Sequence, residues 1–165
     1  MKYSLVKKPE CFFMYAFLVA FSAIVFALYY QYFEGYEPCV FCIYQRIPYG
    51  LVIFFSLICL FLRTNSNFFQ ILILLFFFSS LVLSTTHFGI EQGYWSFSTS
   101  CSSNVNEFDN IEQLRSSLMN ASITKCDEIV WSYRGISMAG YNMIFSFVNL
   151  LLLIFYKFKV VNEKK

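Results

Sequence analysis

The chain alternates long apolar runs with short polar breaks, and the runs are too long and too uniform to be the buried stripe of soluble helices. Four stretches stay apolar for about 20 residues, the length of helix that crosses a hydrocarbon core. They are residues 11–33, 43–62 (broken only by Arg46 near its start), 68–87 and 136–156. In lipid every backbone N–H and C=O must be satisfied within the segment itself, so runs of this kind form helices unless a much larger closed barrel is available. The pattern therefore predicts an all-α membrane protein. It is a four-transmembrane-helix bundle in a single domain over residues 1–165, with residues 88–135 as one long polar loop.

Composition reinforces the pattern. Hydrophobic residues make up 58% of the chain and charged residues 13%, and 22 of the 165 positions are Phe. A soluble domain carries about 25% charged residues, so this chain cannot hide its apolar surface from water. No nucleic-acid partner is expected. The first run follows Lys2, Lys7 and Lys8, and Val25-Phe26-Ala27 offers a weak signal-cleavage pattern. Yet the run continues through Leu28, Tyr29 and Tyr30 to Phe33, longer than a signal core needs, and it reads as an uncleaved anchor.

Cations set the orientation. With both termini cytoplasmic, Lys2, Lys7, Lys8, Arg63, Lys157, Lys159, Lys164 and Lys165 lie inside, which is eight of the twelve Lys and Arg. Most of the acidic residues then lie outside, together with Arg46, Arg115, Lys125 and Arg134. Trp95, Trp131, Tyr94, Tyr133 and Tyr141 fall near the outer boundary, the depth that amphipathic rings prefer.

This topology sorts the six cysteines. Cys39 and Cys42 lie at the outer end of the second helix, and Cys101 and Cys126 in the long outer loop; Cys11 and Cys59 fall near the inner ends and read as apolar packing. Four cysteines on one face leave three pairings, and the CxxC spacing favours Cys39–Cys42 with Cys101–Cys126. Disulfides persist outside the cytoplasm, which agrees with that placement. By itself Cys101–Cys126 reads best as a loop staple. A CxxC ring closes almost no loop and so stabilises little, whereas such pairs commonly exchange electrons.

Other chemistry fits the cysteines less well. Covalent haem attachment needs His directly after CxxC, and position 43 is Ile. An all-thiolate zinc site would need the isolated Cys101 and Cys126 to act as a second pair, so no metal is expected. Cys42 falls in the first turn of its helix, where the dipole favours a thiolate. Arg46, one turn on, adds to that effect and can bond a polar oxygen of a bound molecule, unless it only reaches for lipid phosphate. His87, the one histidine, sits at similar depth and can relay protons to a cofactor or simply be solvated.

The run Pro38-Cys39-Val40-Phe41-Cys42-Ile43-Tyr44-Gln45-Arg46 resembles the signature of the disulfide bond formation protein B (DsbB) family. Cys126-Asp127-Glu128, Trp131 and the run from Gly135 through Asn142 resemble the family's approach to its last helix, and the likeness covers essentially the whole chain. Gln45 departs from the acidic residue of some members. The resemblance implies a thiol oxidoreductase of the bacterial inner membrane whose redox cysteines face the periplasm. A reduced periplasmic thioredoxin-fold oxidase of the DsbA type would form a mixed disulfide at Cys101, releasing Cys126 to exchange with Cys39–Cys42. Cys42, with Arg46 and His87 as cofactor-binding residues, would then pass two electrons to a membrane quinone, ubiquinone or menaquinone. DsbA-type oxidants sit near roughly −120 mV, so a protein disulfide that reoxidises them needs strain or a stronger oxidant behind it.

Two other classes share these parts. One is a thiol oxidoreductase with a dedicated client, as in the DsbI-like branch; the vitamin K epoxide reductase type fits poorly because its CxxC belongs near a later helix. The other is a zinc-holding membrane scaffold. Within the loop, Ile111, Leu114 and Leu118 recur beside Glu112, Gln113 and Arg115, which predicts a short amphipathic helix over residues 110–118 on the outer surface. If it keeps the loop near the CxxC, Leu114→Glu with Leu118→Glu slows electron transfer between the two cysteine pairs; unchanged stopped-flow kinetics exclude the tether.

Overall fold

The computed structural model describes residues 9–64, 66–94, 126 and 129–162 of the chain. Four long helices carry it: α1 (Pro9–Tyr32), α2 (Val40–Phe61), α3 (Asn67–Glu91) and α4 (Met138–Asn162). Each is long and apolar enough to cross a membrane, so the four-helix membrane bundle expected from the apolar runs is the fold that forms. Cys101 and the amphipathic helix expected over residues 110–118 lie outside the described residues.

The helix ends depart from the apolar runs where the site is built. The second run was expected from residue 43, but α2 begins at Val40 with Cys39 as its N-cap. The third was expected to stop at residue 87, before the charge of Glu91, but α3 continues to Glu91. Hydropathy stops at a charge, whereas a helix stops where its last carbonyls find donors. For α3 that point is Gly93, whose φ of 72° lets the N–H groups of Gly93 and Tyr94 return to the carbonyls of Ile90 and Gly89. The fourth run was expected from residue 136, but residues 136–137 form a strand and α4 starts at Met138.

Around the bundle α1 packs on α2, α2 on α3 and α3 on α4, while α1 and α4 touch only lightly. The buried seams mix polar residues with apolar ones. On α3 they run Gln70, Ile73, Phe77, Ser80, Ser84 and His87, alternating steps of three and four residues. Ser56 and Gln45 on α2 and Ser146 and Asn149 on α4 are likewise buried, while Phe21, Phe54, Phe78, Phe147 and Phe155 point outward. Lipid is as apolar as a Phe side chain, so burying Phe between helices gains little; close approach and interhelical hydrogen bonds decide which faces meet.

A two-stranded hairpin leads into α4. Here β1 (Ser132–Tyr133) pairs antiparallel with β2 (Ile136–Ser137) across Arg134 and Gly135, both at positive φ, as a two-residue hairpin turn of this hand requires. Trp131 packs edge-on to Tyr30 of α1 and tilted against Tyr141 of α4, binding the hairpin to both helices. Ser137 caps α4, its Oγ accepting the Gly140 N–H at 3.2 Å. At Gly140 the backbone passes so close to β2 and α3 that an added Cβ would meet Ile136 Cγ2 at 2.8 Å and the Phe88 ring at 3.1 Å. Gly140→Val is therefore expected to destabilise the bundle by about 1–3 kcal/mol through overpacking, read as a lowered melting temperature in detergent.

Candidate functional site

The cysteine pair owes its geometry to the helix start. An N-cap side chain accepts a backbone N–H from the first turn, and here a sulfur does so: Cys42 N–H donates to Cys39 Sγ at 3.3 Å. The same turn brings the two sulfurs to 3.3 Å, hydrogen-bond distance for a dithiol, against roughly 2.05 Å in a disulfide bond. Cys39 is buried, and its thiol is pushed up to about 12, first by its hydrogen bond to Cys42 and then by burial. Of the two, Cys39 keeps its proton and donates it toward Cys42.

His87 approaches from α3. The solvated interfacial histidine that the sequence left open is not what forms: His87 is 3% exposed, its ring stacked on Phe41 at 5.6 Å. Nε2 lies 3.4 Å from Cys39 Sγ and 3.7 Å from Oε1 of Glu91, one turn further along α3. Glu91 in turn accepts a hydrogen bond from Ser137 Oγ, which ties it to the cap of α4. Nδ1 lies 3.0 Å from Gln45 Nε2, so Gln45, noted in the sequence only as a departure from a family pattern, is a direct partner of the histidine.

Behind Gln45 the hydrogen bonds continue. Asn142 Nδ2 donates to Gln45 Oε1 at 2.8 Å, Tyr49 OH donates to Asn142 Oδ1 at 2.6 Å, and Ser146 Oγ lies 2.8 Å from Tyr49 OH. Ser80 Oγ of α3 lies 3.1 Å beyond, on Ser146. Tyr49 and Asn142 were missed as site residues: Tyr49 carries no motif, and Asn142 entered only as the end of the run that leads into the last helix. The available signal was their rarity there: polar side chains inside a span are costly and usually paired.

Arg46 lies one turn from Cys42, as its spacing predicts, and its Nη1 donates to Gln31 Oε1 of α1 at 2.5 Å. Its Nε is buried with no hydrogen-bond partner among the described residues. Cys39, Cys42, Arg46 and His87 all line one cavity of about 930 Å³ that runs between α1 and α4, neighbouring helices that touch only lightly. Most of that lining is apolar, with these groups, Gln31 and Glu91 concentrated at one end. A large apolar molecule with a polar head fits such a space, and an unpaired guanidinium N–H is the donor that a carbonyl oxygen there would satisfy.

Cys126 is also buried, in one cluster with Cys39, Phe41 and Ile90. Of the four cysteines expected on the outer side, three are thus brought to the same end of the bundle, and Cys101 lies outside the described residues. The sulfurs of Cys39 and Cys42 and a ring nitrogen of His87 lie within 4.8 Å of one another, a grouping that could also hold a soft cation, with Cys11 and Cys59 far from it in sequence and topology. The raised Cys39 thiol makes a reactivity prediction. Alkylation of the reduced protein falls on Cys42 at neutral pH, while the Cys39 rate climbs about tenfold per pH unit and does not level off before about pH 12; mass spectrometry of iodoacetamide adducts reads both.

Known proteins resemble this chain over most of its length. The family model described as Disulfide bond formation protein DsbB matches residues 9–156. An uncharacterized protein of Rickettsia prowazekii is 33% identical over 154 residues, covering 91% of this chain and 88% of its own. Disulfide bond formation protein B of Mannheimia succiniciproducens is 30% identical, covering 83% of this chain and 81% of its own, and that of Pasteurella multocida is 32% identical, covering 88% and 83%. A membrane bundle with a CxxC at a helix cap, matched over nearly its whole length, belongs to the DsbB family of disulfide bond formation proteins.

Proposed function

We propose that this chain sits in the bacterial inner membrane with its CxxC on the periplasmic side, reoxidises a soluble thioredoxin-fold thiol oxidase of the DsbA type, and hands the electrons to a membrane quinone. One observation carries the reading: Cys42, Arg46 and His87 share a largely apolar cavity in which the Arg46 Nε lacks a partner.

The exchange steps balance in thiols. The reduced donor attacks the Cys101–Cys126 disulfide at Cys101, forms a mixed disulfide, and leaves oxidised once its second thiol displaces Cys101. Cys126 then attacks the Cys39–Cys42 disulfide. Its burial beside Cys39 and Phe41 supports attack at Cys39, which releases Cys42 as the thiolate. Cys101 displaces Cys39 and restores the loop disulfide, leaving Cys39 and Cys42 as the dithiol. Reclosing the CxxC disulfide releases two electrons and two protons. Arg46 would hold a quinone head in the cavity that the His87 ring also lines, and a bound quinone supplies the two-electron oxidant that this step needs. Arg46 orients the oxygen it bonds, the apolar walls exclude water, and His87 Nε2 holds a proton at Cys39.

The detergent-purified protein, given a reduced DsbA-type partner, is expected to bleach ubiquinone or menaquinone absorbance, and Cys42→Ser to abolish turnover. Intact disulfides with no turnover on either quinone would exclude the oxidase reading. Stoichiometric zinc with no disulfide would support a metal-holding scaffold built on Cys39, Cys42 and His87.

A further inference from the structure

Behind the cysteine pair Tyr49 donates to Asn142, Asn142 to Gln45 and Cys39 to Cys42, and the two contacts of His87 between them take their direction from its tautomer. Nε2 of His87 lies 3.4 Å from Cys39 Sγ, which can donate or accept, and 3.7 Å from the carboxylate oxygen Oε1 of Glu91, so a proton on Nε2 suits both neighbours. Nδ1 then presents a lone pair and needs a donor, which Gln45 supplies only by turning its NH2 inward. Gln45 can hold that orientation because its Oε1 accepts from Asn142 Nδ2, and Asn142 because its Oδ1 accepts from Tyr49 OH. Three helices contribute: Tyr49 and Gln45 from α2, Asn142 from α4, His87 from α3. A proton on Nδ1 would place N–H against N–H, and both amides would have to turn over to relieve it.

We propose that Gln45 and Asn142, steered by Tyr49, are positioning residues that hold His87 in its Nε2–H tautomer, so that the row of donors runs Tyr49, Asn142, Gln45, His87, Cys39 and ends on the Cys42 sulfur. This rests on the oxidase reading for its purpose, though not for its geometry. Cys39 accepts from His87 and directs its own proton at Cys42, so negative charge in the reduced pair settles on the sulfur nearer Arg46 in sequence. Hydrogen bonds aligned head to tail polarise one another, and in a low-dielectric interior that orientation is costly to reverse. With the other tautomer, Nε2 would accept from the Cys39 thiol and draw its proton away from Cys42.

The test uses the chain's one histidine. The full-length protein is labelled with 15N-histidine, reduced, and held in detergent without quinone or partner, so that its imidazole nitrogens are the only labelled pair. Asn142→Asp is nearly isosteric, and at a pH where it is ionised its carboxylate can only accept. It takes the Gln45 NH2, turns Gln45 Oε1 to the ring, and moves the proton to Nδ1. Gln45→Glu does the same directly and serves if Asn142→Asp does not fold.

Wild type is expected to show a protonated Nε2 and an unprotonated Nδ1, and both variants a protonated Nδ1. In the variants the preference of alkylation for Cys42 over Cys39 at neutral pH is expected to fall about tenfold, the scale of one hydrogen bond to a charged sulfur. A protonated Nδ1 in wild type overturns the proposal, as does an unprotonated Nδ1 in folded Asn142→Asp. Switched tautomers in a protein that reduces no quinone would leave the positioning role standing and remove the oxidase reading instead.

Discussion

In a hydrocarbon interior a polar side chain without a partner is far more costly than an apolar one out of place, and that constraint organises this molecule. Gln45, Tyr49, Asn142, Ser146, Ser80 and His87 satisfy one another across α2, α3 and α4. The Phe residues that dominate the composition are indifferent between lipid and a neighbouring helix. The polar row is not, so it decides which faces meet and at what rotation. A helix turned away from this arrangement would strand several donors and acceptors at once.

The same row makes the end of the bundle chemically asymmetric. One sulfur of the CxxC caps α2, is buried and receives the histidine; the other lies within the first turn, one turn from an arginine. Two cysteines three positions apart are thereby given different surroundings. The loose α1–α4 contact contributes in a different way. Where two helices fail to close, a largely apolar cavity remains beside the two sulfurs, and the quinone of the proposed function needs such a space.

Much of the site could be read from residue types. The CxxC, Arg46 one turn on, and His87 at matching depth were all visible as spacing against a membrane boundary, and they do line one cavity. The environment of each could not be read. His87 looked as suited to solvent as to a buried contact, because hydropathy places a residue by depth and says nothing of which side of the helix it occupies. Glu91 was assigned to the outer loop by its charge, yet α3 carries it one turn beyond His87, beside Ser137. Gln45, Tyr49 and Asn142 have meaning only as a set, and the set spans nearly 100 positions of chain.

The sequence by itself determined the medium, the number of spans and the chemistry available, because these follow from local properties: run length, charge and the reactivity of thiols at a helix start. Tertiary structure alone decided the partners. Which nitrogen of His87 faces sulfur, which amide faces the ring, and where the helices leave room for a ligand all depend on the rotation of each helix about its axis. Apolar periodicity cannot set that rotation when lipid and protein interior are equally apolar; interhelical hydrogen bonds and close approaches such as Gly140 on Phe88 can.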